Sequence, residues 1–490
     1  MFTRLLIRYK FHLLIGLLLL VATYVKASTY VEVGDDVYDI LERLEAEGVI
    51  KSALLTTRPL SRKEVIRLIR EAEENSQGRS EVVLAQIRLL RDKFKYEMDG
   101  TKFIKPVETV RARYIKADKR PSELSYNNDG DDYKDGSNFR VDFSSRAELG
   151  WFSFYMKPEF RYSDSDEDLI MDKIYGVADV WGWELEVGAD SQWWGPGYHG
   201  SLLLSNNPEP LTMIKLTNSR PVLLPWVFKN LGLFKFTGFI TRLEDERVIP
   251  EPLFWGMRVN LKPSPYIEFG LQRTALFGGE GRSESLSTWW DSFTGSGENE
   301  PNGAGDQRAG YDVKLNLPLD VQPVQLYIES DGEDESGGLP SKWAYLYGVY
   351  FPRVLSYDRI GLRAEYATNH VSGSPNVWYN HAIYQSGYTY KDRIIGHHMG
   401  TDSRDMFMEA SYHIPEHDGK VALSYDEKEH NLSGDINEKK NEFCLSADFG
   451  LTESIKAKAS YGYGKIKDVD NISGNNENIN TVVLELRYDF

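Results

Sequence analysis

The chain has 490 residues, a formal net charge of −17 and a mean hydropathy of −0.45. This polar average excludes a bundle of membrane-spanning helices, and the acidic balance argues against nucleic acid as a partner and against binding anionic lipid through a basic face. The single cysteine, Cys444, cannot form an internal disulfide. Aromatic residues make up 13% of the chain. A high aromatic content together with a polar mean hydropathy is typical of a membrane β-barrel, because half of the side chains of each strand face a water-filled lumen.

The N-terminus predicts export. Arg4, Arg8 and Lys10 precede an apolar run over residues 11–25, and Ala27 offers a small residue for signal peptidase. We therefore expect residues 1–27 to be a signal peptide, removed after Ala27, which takes the net charge from −17 to −21. The alternative is a retained anchor, but the apolar run is shorter than the roughly 20 residues of a spanning helix.

Residues 28–105 show helical periodicity. Apolar residues recur at three- and four-residue spacing from Val37 to Leu44, and Ser61 with Glu64 forms a capping-box pattern before a second apolar run. A third helix is expected over residues 81–96. These segments predict a small helical bundle, which we place at the periplasmic end of the barrel.

From residue 106 the period changes from 3.6 to 2, which indicates β-strands up to residue 490. Apolar and polar residues alternate clearly in residues 141–151, 181–190, 360–366 and 456–463. A soluble sandwich also alternates, but it rarely needs so many aromatics at its strand ends, where Trp151, Tyr155, Trp181 and Trp183 are expected to form a membrane girdle. The spacing of the runs predicts about 16 to 20 antiparallel strands.

The last strand ends the chain on an aromatic, Phe490. Outer-membrane barrels resemble this in carrying a terminal aromatic that the insertion machinery reads. The strand is expected to pair with the first barrel strand, near residues 107–115, so that no edge stays open in lipid. Both barrel ends then lie in the periplasm and the strand number is even. Long outer loops are expected at residues 116–138, 278–308, 330–340 and 427–441.

The segment from Asp190 to His199 is dense in aromatic and turn residues, and an asparagine pair follows it. Gly-Pro-Gly at 195–197 predicts a tight turn beside the aromatics. Two interpretations stay open: a sugar site, in which rings stack on a pyranose face and amides or carboxylates bind its hydroxyls, or an aromatic girdle with a structural turn. The candidate sugar-binding residues are Asp190, Gln192, Trp193, Trp194, Tyr198, Asn206 and Asn207.

Three further features suggest chemistry but favour structural roles. His397 and His398, beside Asp402 and Asp405, could bind a metal or serve a hydrolase. Neighbours in a strand point to opposite faces, so the histidine pair cannot chelate one ion together without a turn. The carboxylates of residues 332–335 share one short segment, whereas a glycosidase needs two facing elements. Residues 127–132 have the composition of a calcium loop without the spacing of an EF-hand. We therefore expect no catalytic residues, metal or cofactor.

Several stretches resemble the Wzi family of capsule assembly proteins. They are residues 58–62, 192–198, 204–210, 332–335, 340–343 and 395–402, and together they extend over nearly the whole chain after the signal peptide. The resemblance implies a barrel of about eighteen strands, plugged by a helical bundle on the periplasmic side, that acts as an outer-membrane lectin. The implied partner is capsular or other surface polysaccharide, alongside outer-membrane lipid and the insertion machinery.

Two alternative functions from other classes of protein remain open. A diffusion channel is suggested by charged residues expected to face the lumen, such as Arg146, Glu184 and Arg363. A barrel hydrolase is suggested by the histidine pair, because outer-membrane lipases use His and Ser on the barrel wall. The helical plug disfavours the channel.

Overall fold

The computed structural model describes residues 27–99, 103–119, 126–294, 305–336 and 339–490. The predicted signal peptide, apart from Ala27, lies outside the described residues. The strands, in chain order, are β1 (Thr57–Arg58), β2 (Phe103–Ala117), β3 (Gly136–Glu148), β4 (Phe152–Ser163), β5 (Glu167–Val180), β6 (Trp183–Asp190), β7 (Trp193–Trp194), β8 (Leu211–Asn218), β9 (Val222–Leu223), β10 (Leu233–Arg242), β11 (Leu253–Ser264), β12 (Ile267–Phe277), β13 (Asp306–Leu317), β14 (Val324–Ser336), β15 (Leu339–Phe351), β16 (Ile360–Thr368), β17 (Thr389–Tyr390), β18 (Arg393–Ile394), β19 (Arg404–Ile414), β20 (Gly419–His430), β21 (Glu438–Gly450), β22 (Ile455–Lys467) and β23 (Glu477–Asp489).

Eighteen of these described strands form a closed antiparallel barrel, and short β9 extends the sheet beside β10. Closure occurs between the first and last barrel strands, with Thr109 opposite Asp489 and Ala117 opposite Thr481. The amide of Phe490 donates to the carbonyl of Glu108 at 2.9 Å. The expected pairing of the chain-terminal strand and the even strand number are thus confirmed. In lipid this closure satisfies the backbone groups that an open edge would leave exposed.

The barrel wall is apolar outside and polar inside. In β3, Phe139 and Val141 are 45% and 47% exposed, while the alternating residues Arg140 and Asp142 are almost fully buried. This inverts the pattern of a soluble sheet, because the outward residues face lipid and the inward residues fill the lumen. The expected lumen positions of Arg146, Glu184 and Arg363 are confirmed, since all three side chains are buried.

Three of the four predicted girdle residues lie on the outside. Trp151, Trp181 and Trp183 are exposed at the turns that join β3 to β4 and β5 to β6. The fourth assignment was wrong: Tyr155 points into the lumen, where its hydroxyl donates to Glu32 at 2.5 Å. It occupies an inward position of β4, as Ser153 and Lys157 also do.

Two expected outer loops are largely strand. Residues 330–336 continue β14, and residues 427–430 and 438–441 belong to β20 and β21. Their polar composition reflects the ends of strands and not irregular chain. The other two expected loops are confirmed as the connections between β2 and β3 and between β12 and β13. Residues 191–210 and 369–403 form two further long outer segments.

The N-terminal segment forms a bundle with its own apolar core, as the sequence predicts. Its helices are α1 (Val37–Ala46), α2 (Arg62–Glu74), α3 (Glu81–Lys93) and α4 (Lys95–Met98). The hydroxyl of Ser61 accepts the amide of Glu64 at 3.3 Å, which caps α2 as expected. Leu41, Leu44 and Val65 are fully buried in the core. No helix in the described residues is both long and apolar enough to cross a membrane.

Buried ion pairs hold the bundle in the barrel. Glu42 of α1 accepts hydrogen bonds from Arg363 of β16, the shorter at 2.9 Å. Glu45 of the same helix pairs with Lys262 of β11 and with Lys314 of β13. These groups are nearly inaccessible to water, and removing one partner of such a pair leaves an uncompensated buried charge. The bundle is therefore an integral plug of the lumen.

Two outer segments fold into the barrel from the opposite end. We call residues 191–210 the tryptophan loop and residues 369–403 the histidine loop. The hydroxyl of Tyr379 donates to the carbonyl of Leu202 at 2.8 Å, and the hydroxyl of Tyr388 donates to the carbonyl of Leu203 at 3.0 Å. The two loops and the inner wall form one buried apolar cluster. The lumen is thus filled from both ends.

A further helix, α5 (Leu286–Thr294), lies outside the lumen. Trp255 occupies an outward position of β11, and its indole nitrogen donates to the hydroxyl of Ser292 at 3.0 Å. This helix covers part of the outer wall.

A filled lumen predicts that the purified protein carries no steady ionic current in a planar lipid bilayer. The bundle, the tryptophan loop and the histidine loop occupy space through which ions would otherwise pass. A general-diffusion porin inserted under the same conditions serves as the positive control. Stable open-channel conductance from the wild-type protein would contradict this arrangement.

Candidate functional site

The seven candidate sugar-binding residues all lie in the lumen. Tyr198 is half-buried and the other six are less than 10% exposed. The segment leaves the wall at the end of β6, and its two tryptophans, as β7, pair with β1 of the plug. Gly195 has a φ of +141° and faces Glu329 so closely that a Cβ would overlap the carboxylate. The predicted turn thus requires glycine at this point.

The two tryptophans have different surroundings. Trp194 is completely buried in the apolar cluster, where its ring meets Phe239 edge-on at 5.4 Å. Its amide donates to the carbonyl of Leu204 at 2.9 Å. A ring enclosed in this way presents no face to a sugar. We call the tryptophan loop and the histidine loop together the cap, and Trp194 is a residue of its core.

Trp193, Tyr198 and Asn206 line a cavity of about 540 Å³ inside the barrel. The guanidinium of Arg363 lies 4.1 Å from the centre of the Tyr198 ring, and that of Arg58 lies 6.0 Å from the centre of the Trp193 ring. A second cavity of about 280 Å³ also has Asn206 in its wall. Aromatic rings, amides and charges of both signs therefore converge on one space.

The remaining candidates hold the loop in place. Asp190 accepts the amide of Ser191 at 2.9 Å. Gln192 donates to the carbonyl of Ser191 at 3.0 Å. The side chain of Asn207 donates to the carbonyl of Ile394 in the histidine loop, also at 3.0 Å. Such bonds to main chain fix the loop's course.

Asn206 connects the tryptophan loop to the first outer segment. Its side chain donates to the carbonyl of Asn127 at 2.9 Å, and its carbonyl accepts the amide of Asp129 at 2.8 Å. The carboxylate of Asp129 is also bound to Lys173 at 2.6 Å, and that of Asp131 is bound to Arg140 at 2.9 Å. Protein cations thus neutralise these carboxylates in the segment that resembles a calcium loop in composition.

A cluster around His199 joins His398 and Asp405, which the sequence singled out, to His199 and Asp426, which it did not connect to them. His199, from the tryptophan loop, stacks on Phe407 with ring centres 4.1 Å apart, and His398, from the histidine loop, stacks on Tyr126 at the same separation. Burial disfavours the charged form of His199, but the carboxylates of Asp405 and Asp426 outweigh it and raise its pKa. Burial lowers the pKa of His398. The two histidines are about 200 positions apart, and no local pattern links them.

The arrangement around the histidine pair does not resemble a hydrolase triad. Neither ring is hydrogen-bonded to a serine hydroxyl among the described residues, and Nδ1 of His397 instead accepts the amide of Met399 at 3.1 Å. In the other acidic segment, Glu333 pairs with Arg308 at 2.6 Å and accepts the amide of Tyr379 at 3.2 Å. That glutamate joins the wall to the histidine loop. The side chains of Asp334 and Glu335 lie outside the described residues.

An apolar outer wall around a lumen that a helical plug and two loops enter from opposite ends defines an outer-membrane β-barrel with an occupied lumen. Residues 116–481 match the model of the family "Capsule assembly protein Wzi", and the chain belongs to this family.

Three known proteins are similar to this chain to different degrees. An uncharacterized 55.8 kDa protein in the cps region of Klebsiella pneumoniae is 30% identical over 346 residues, which cover 68% of this chain and 64% of that protein. The Escherichia coli outer membrane protein Wzi, a carbohydrate-binding β-barrel involved in group 1 capsule assembly, has the same fold. Its structure aligns with a TM-score of 0.77 and 20% identity over 94% of this chain and 100% of that one. Pseudomonas aeruginosa OccK3 aligns with a TM-score of 0.47 and 13% identity over 78% and 94% of the two chains.

The contrast between the tryptophans predicts a difference in stability. Trp194→Ala should destabilise the protein by about 3–5 kcal/mol, because it leaves a hole in a packed core, and Trp193→Ala should cost less, because Trp193 already borders a cavity. Calorimetric unfolding in detergent measures both. The control is Trp226→Ala at an 84% exposed position, expected to change stability by less than about 0.5 kcal/mol. Equal losses for Trp193 and Trp194 would contradict their assigned surroundings.

Proposed function

We propose that the protein binds surface or capsular polysaccharide and helps to attach and assemble it at the cell surface. The observation that carries this proposal is membership of the capsule assembly family over residues 116–481. The occupied lumen supports it, because the plug and the two loops offer binding surfaces and take up space that a diffusion channel needs. The same feature disfavours the channel alternative.

Within this proposal, sugar contacts belong to Trp193, Tyr198 and Asn206, which line the larger cavity. A pyranose has one apolar face that stacks on an aromatic ring, and its hydroxyls both donate and accept hydrogen bonds. Asp190, Gln192, Trp194 and Asn207 would act through the loop, by keeping Trp193 and Tyr198 at the cavity wall.

The cavity wall carries charges of both signs. Its basic side chains are Arg58, Arg363, Lys420, Lys456 and Lys458, and its acidic side chains are Asp35, Asp36, Asp39, Glu409, Asp418, Glu442 and Asp448. Because the acidic groups outnumber the basic ones, the wall suits a neutral glycan, whose hydroxyls can both donate and accept hydrogen bonds, better than a strongly anionic one.

The other partners follow from the barrel itself. Lipid would contact the outward apolar side chains, such as Leu423 and Leu445, and the insertion machinery would read the terminal strand that ends at Phe490. Catalysis has no part in the proposal.

Binding is tested with the purified protein in detergent and capsular polysaccharide isolated from the producing bacterium. Trp193→Ala and Tyr198→Ala should each weaken binding about tenfold, equivalent to about 1.4 kcal/mol of lost contact. Trp226→Ala, at an exposed position that does not line the cavity, should bind as the wild type does. Normal binding by both cavity variants would place the sugar site elsewhere on the protein.

The cellular role is tested by deleting the gene and measuring polysaccharide in the cell-bound and released fractions. The deletion should move capsule from the cells into the medium, and a plasmid copy should reverse this. Full capsule retention in the deletion strain would refute the proposed function.

A further inference from the structure

Three side chains from separate parts of the chain converge beside the larger cavity. They are His199 of the tryptophan loop, His398 of the histidine loop and Asp405 at the start of β19, and one ligand-type atom from each lies within 4.8 Å of the others. Nε2 of His199 is 3.8 Å from Oδ1 of Asp405, and Nδ1 of His398 is 3.8 Å from Oδ2 of the same carboxylate. These separations are too long for hydrogen bonds.

The separations suit atoms that share a metal ion. Imidazole nitrogen and carboxylate oxygen bind Zn²⁺ at about 2.0–2.2 Å, so two ligands of a tetrahedral ion stand roughly 3.4 Å apart. Small side-chain movements therefore bring all three atoms to bonding distance of one central ion.

The same atoms have charged neighbours, such as Lys428 at 4.0 Å from Oδ2 of Asp405, but no hydrogen bonds in the described part of the chain. Nε2 of His199, Nδ1 of His398 and Oδ2 of Asp405 make no hydrogen bond among the described residues, although their side chains are between 2% and 7% exposed. Buried polar groups are normally paired, so three unpaired atoms that converge on one point indicate a bound group.

The orientation of His398 is already that of a metal ligand. Its Nε2 lies 2.9 Å from the carbonyl of His199, and a carbonyl can only accept, so Nε2 carries the proton and Nδ1 keeps its lone pair. Metal-binding histidines usually have the second ring nitrogen fixed in this way. Stacking on Tyr126 holds the ring.

A fourth ligand is within reach. Oδ2 of Asp426 in β20 lies 3.5 Å from Nε2 of His199, and neither carboxylate oxygen of Asp426 is hydrogen-bonded among the described residues. Lys428, with its Nζ 3.4 Å from Asp426, partly offsets the two negative charges. Two imidazoles and two carboxylates suit Zn²⁺ and similar transition metals, whereas Ca²⁺ and Mg²⁺ prefer oxygen ligands alone.

We infer that His199, His398, Asp405 and Asp426 bind one divalent transition-metal ion of the Zn²⁺ type. The ion would join the tryptophan loop, the histidine loop and two neighbouring strands, and so fasten the outer cap to the barrel wall. The adjacent His397 has no part in the site, because its Nδ1 accepts a main-chain amide. The two histidines lie in the histidine loop and not in a strand, so the expectation that a strand points them to opposite faces was wrong.

The site is tested on the full-length protein in detergent after treatment with a chelator. Co²⁺ should bind at one equivalent with the visible absorption of a tetrahedral nitrogen and oxygen site, and Zn²⁺ should displace it. His199→Gln and His398→Gln should each weaken Zn²⁺ binding by at least about tenfold in calorimetric titration, as expected for loss of a ligand. His417→Gln, at an exposed turn position, is the matched control and should bind normally.

A second measurement guards against variants that fold poorly. Zn²⁺ should raise the unfolding temperature of the wild type and of His417→Gln, but not that of His398→Gln, whose barrel content is checked by circular dichroism. If wild-type protein shows neither the Co²⁺ spectrum nor a Zn²⁺-dependent shift, the inference is wrong and the cluster is held by a protonated His199 between the two carboxylates. Unchanged affinity in both histidine variants would also overturn it.

Discussion

Charged groups on the inner wall of this barrel have little water to solvate them, and most of the architecture follows from the need to pair them. A closed ring of strands satisfies the backbone in lipid, but it turns every second side chain inward, and many of these are Arg, Lys, Asp or Glu. In an open porin, water would solvate them. Here Arg363 and Lys314 instead find carboxylates on α1 of the plug. The plug thus supplies the opposite charges for side chains of the inner wall and also fills space in the lumen.

The same requirement explains the two halves of the lumen. On the side of β10 to β16, the tryptophan and histidine loops pack an apolar cluster against inward residues such as Phe239, Phe254 and Leu346. On the side of β19 to β23 and β2 to β4, the inner wall stays polar and the cavities form. Trp194 lies in the first half and Trp193 borders the second. Adjacent residues of one short strand therefore belong to different environments.

The sequence predicts the barrel well and the site only in part. The inward and outward positions of the strands can be predicted because lipid and lumen impose a strict period of two on the sequence. Barrel closure can be predicted from Phe490 because its strand is amphipathic to the last residue. The inward turn of Tyr155 is also readable in hindsight, since it has the parity of Ser153 and Lys157. The burial of Trp194 is not, because a loop that folds back into the lumen has no periodicity to reveal it. Nor does local sequence bring His199 to Asp405, since long-range packing alone does so.

The pairing of β1 with β7 connects the periplasmic plug directly to the outer loops. Thr57 and Arg58 belong to the plug, and Trp193 and Trp194 belong to the cap, with a further main-chain bond from Gly195 to Thr56 at 2.9 Å. Backbone hydrogen bonds inside the lumen thus connect the periplasmic bundle to the tryptophan loop. A force applied to the cap, for instance by tethered polymer, is consequently transmitted to the bundle and its ion pairs. The cap and the plug therefore form one mechanically coupled unit.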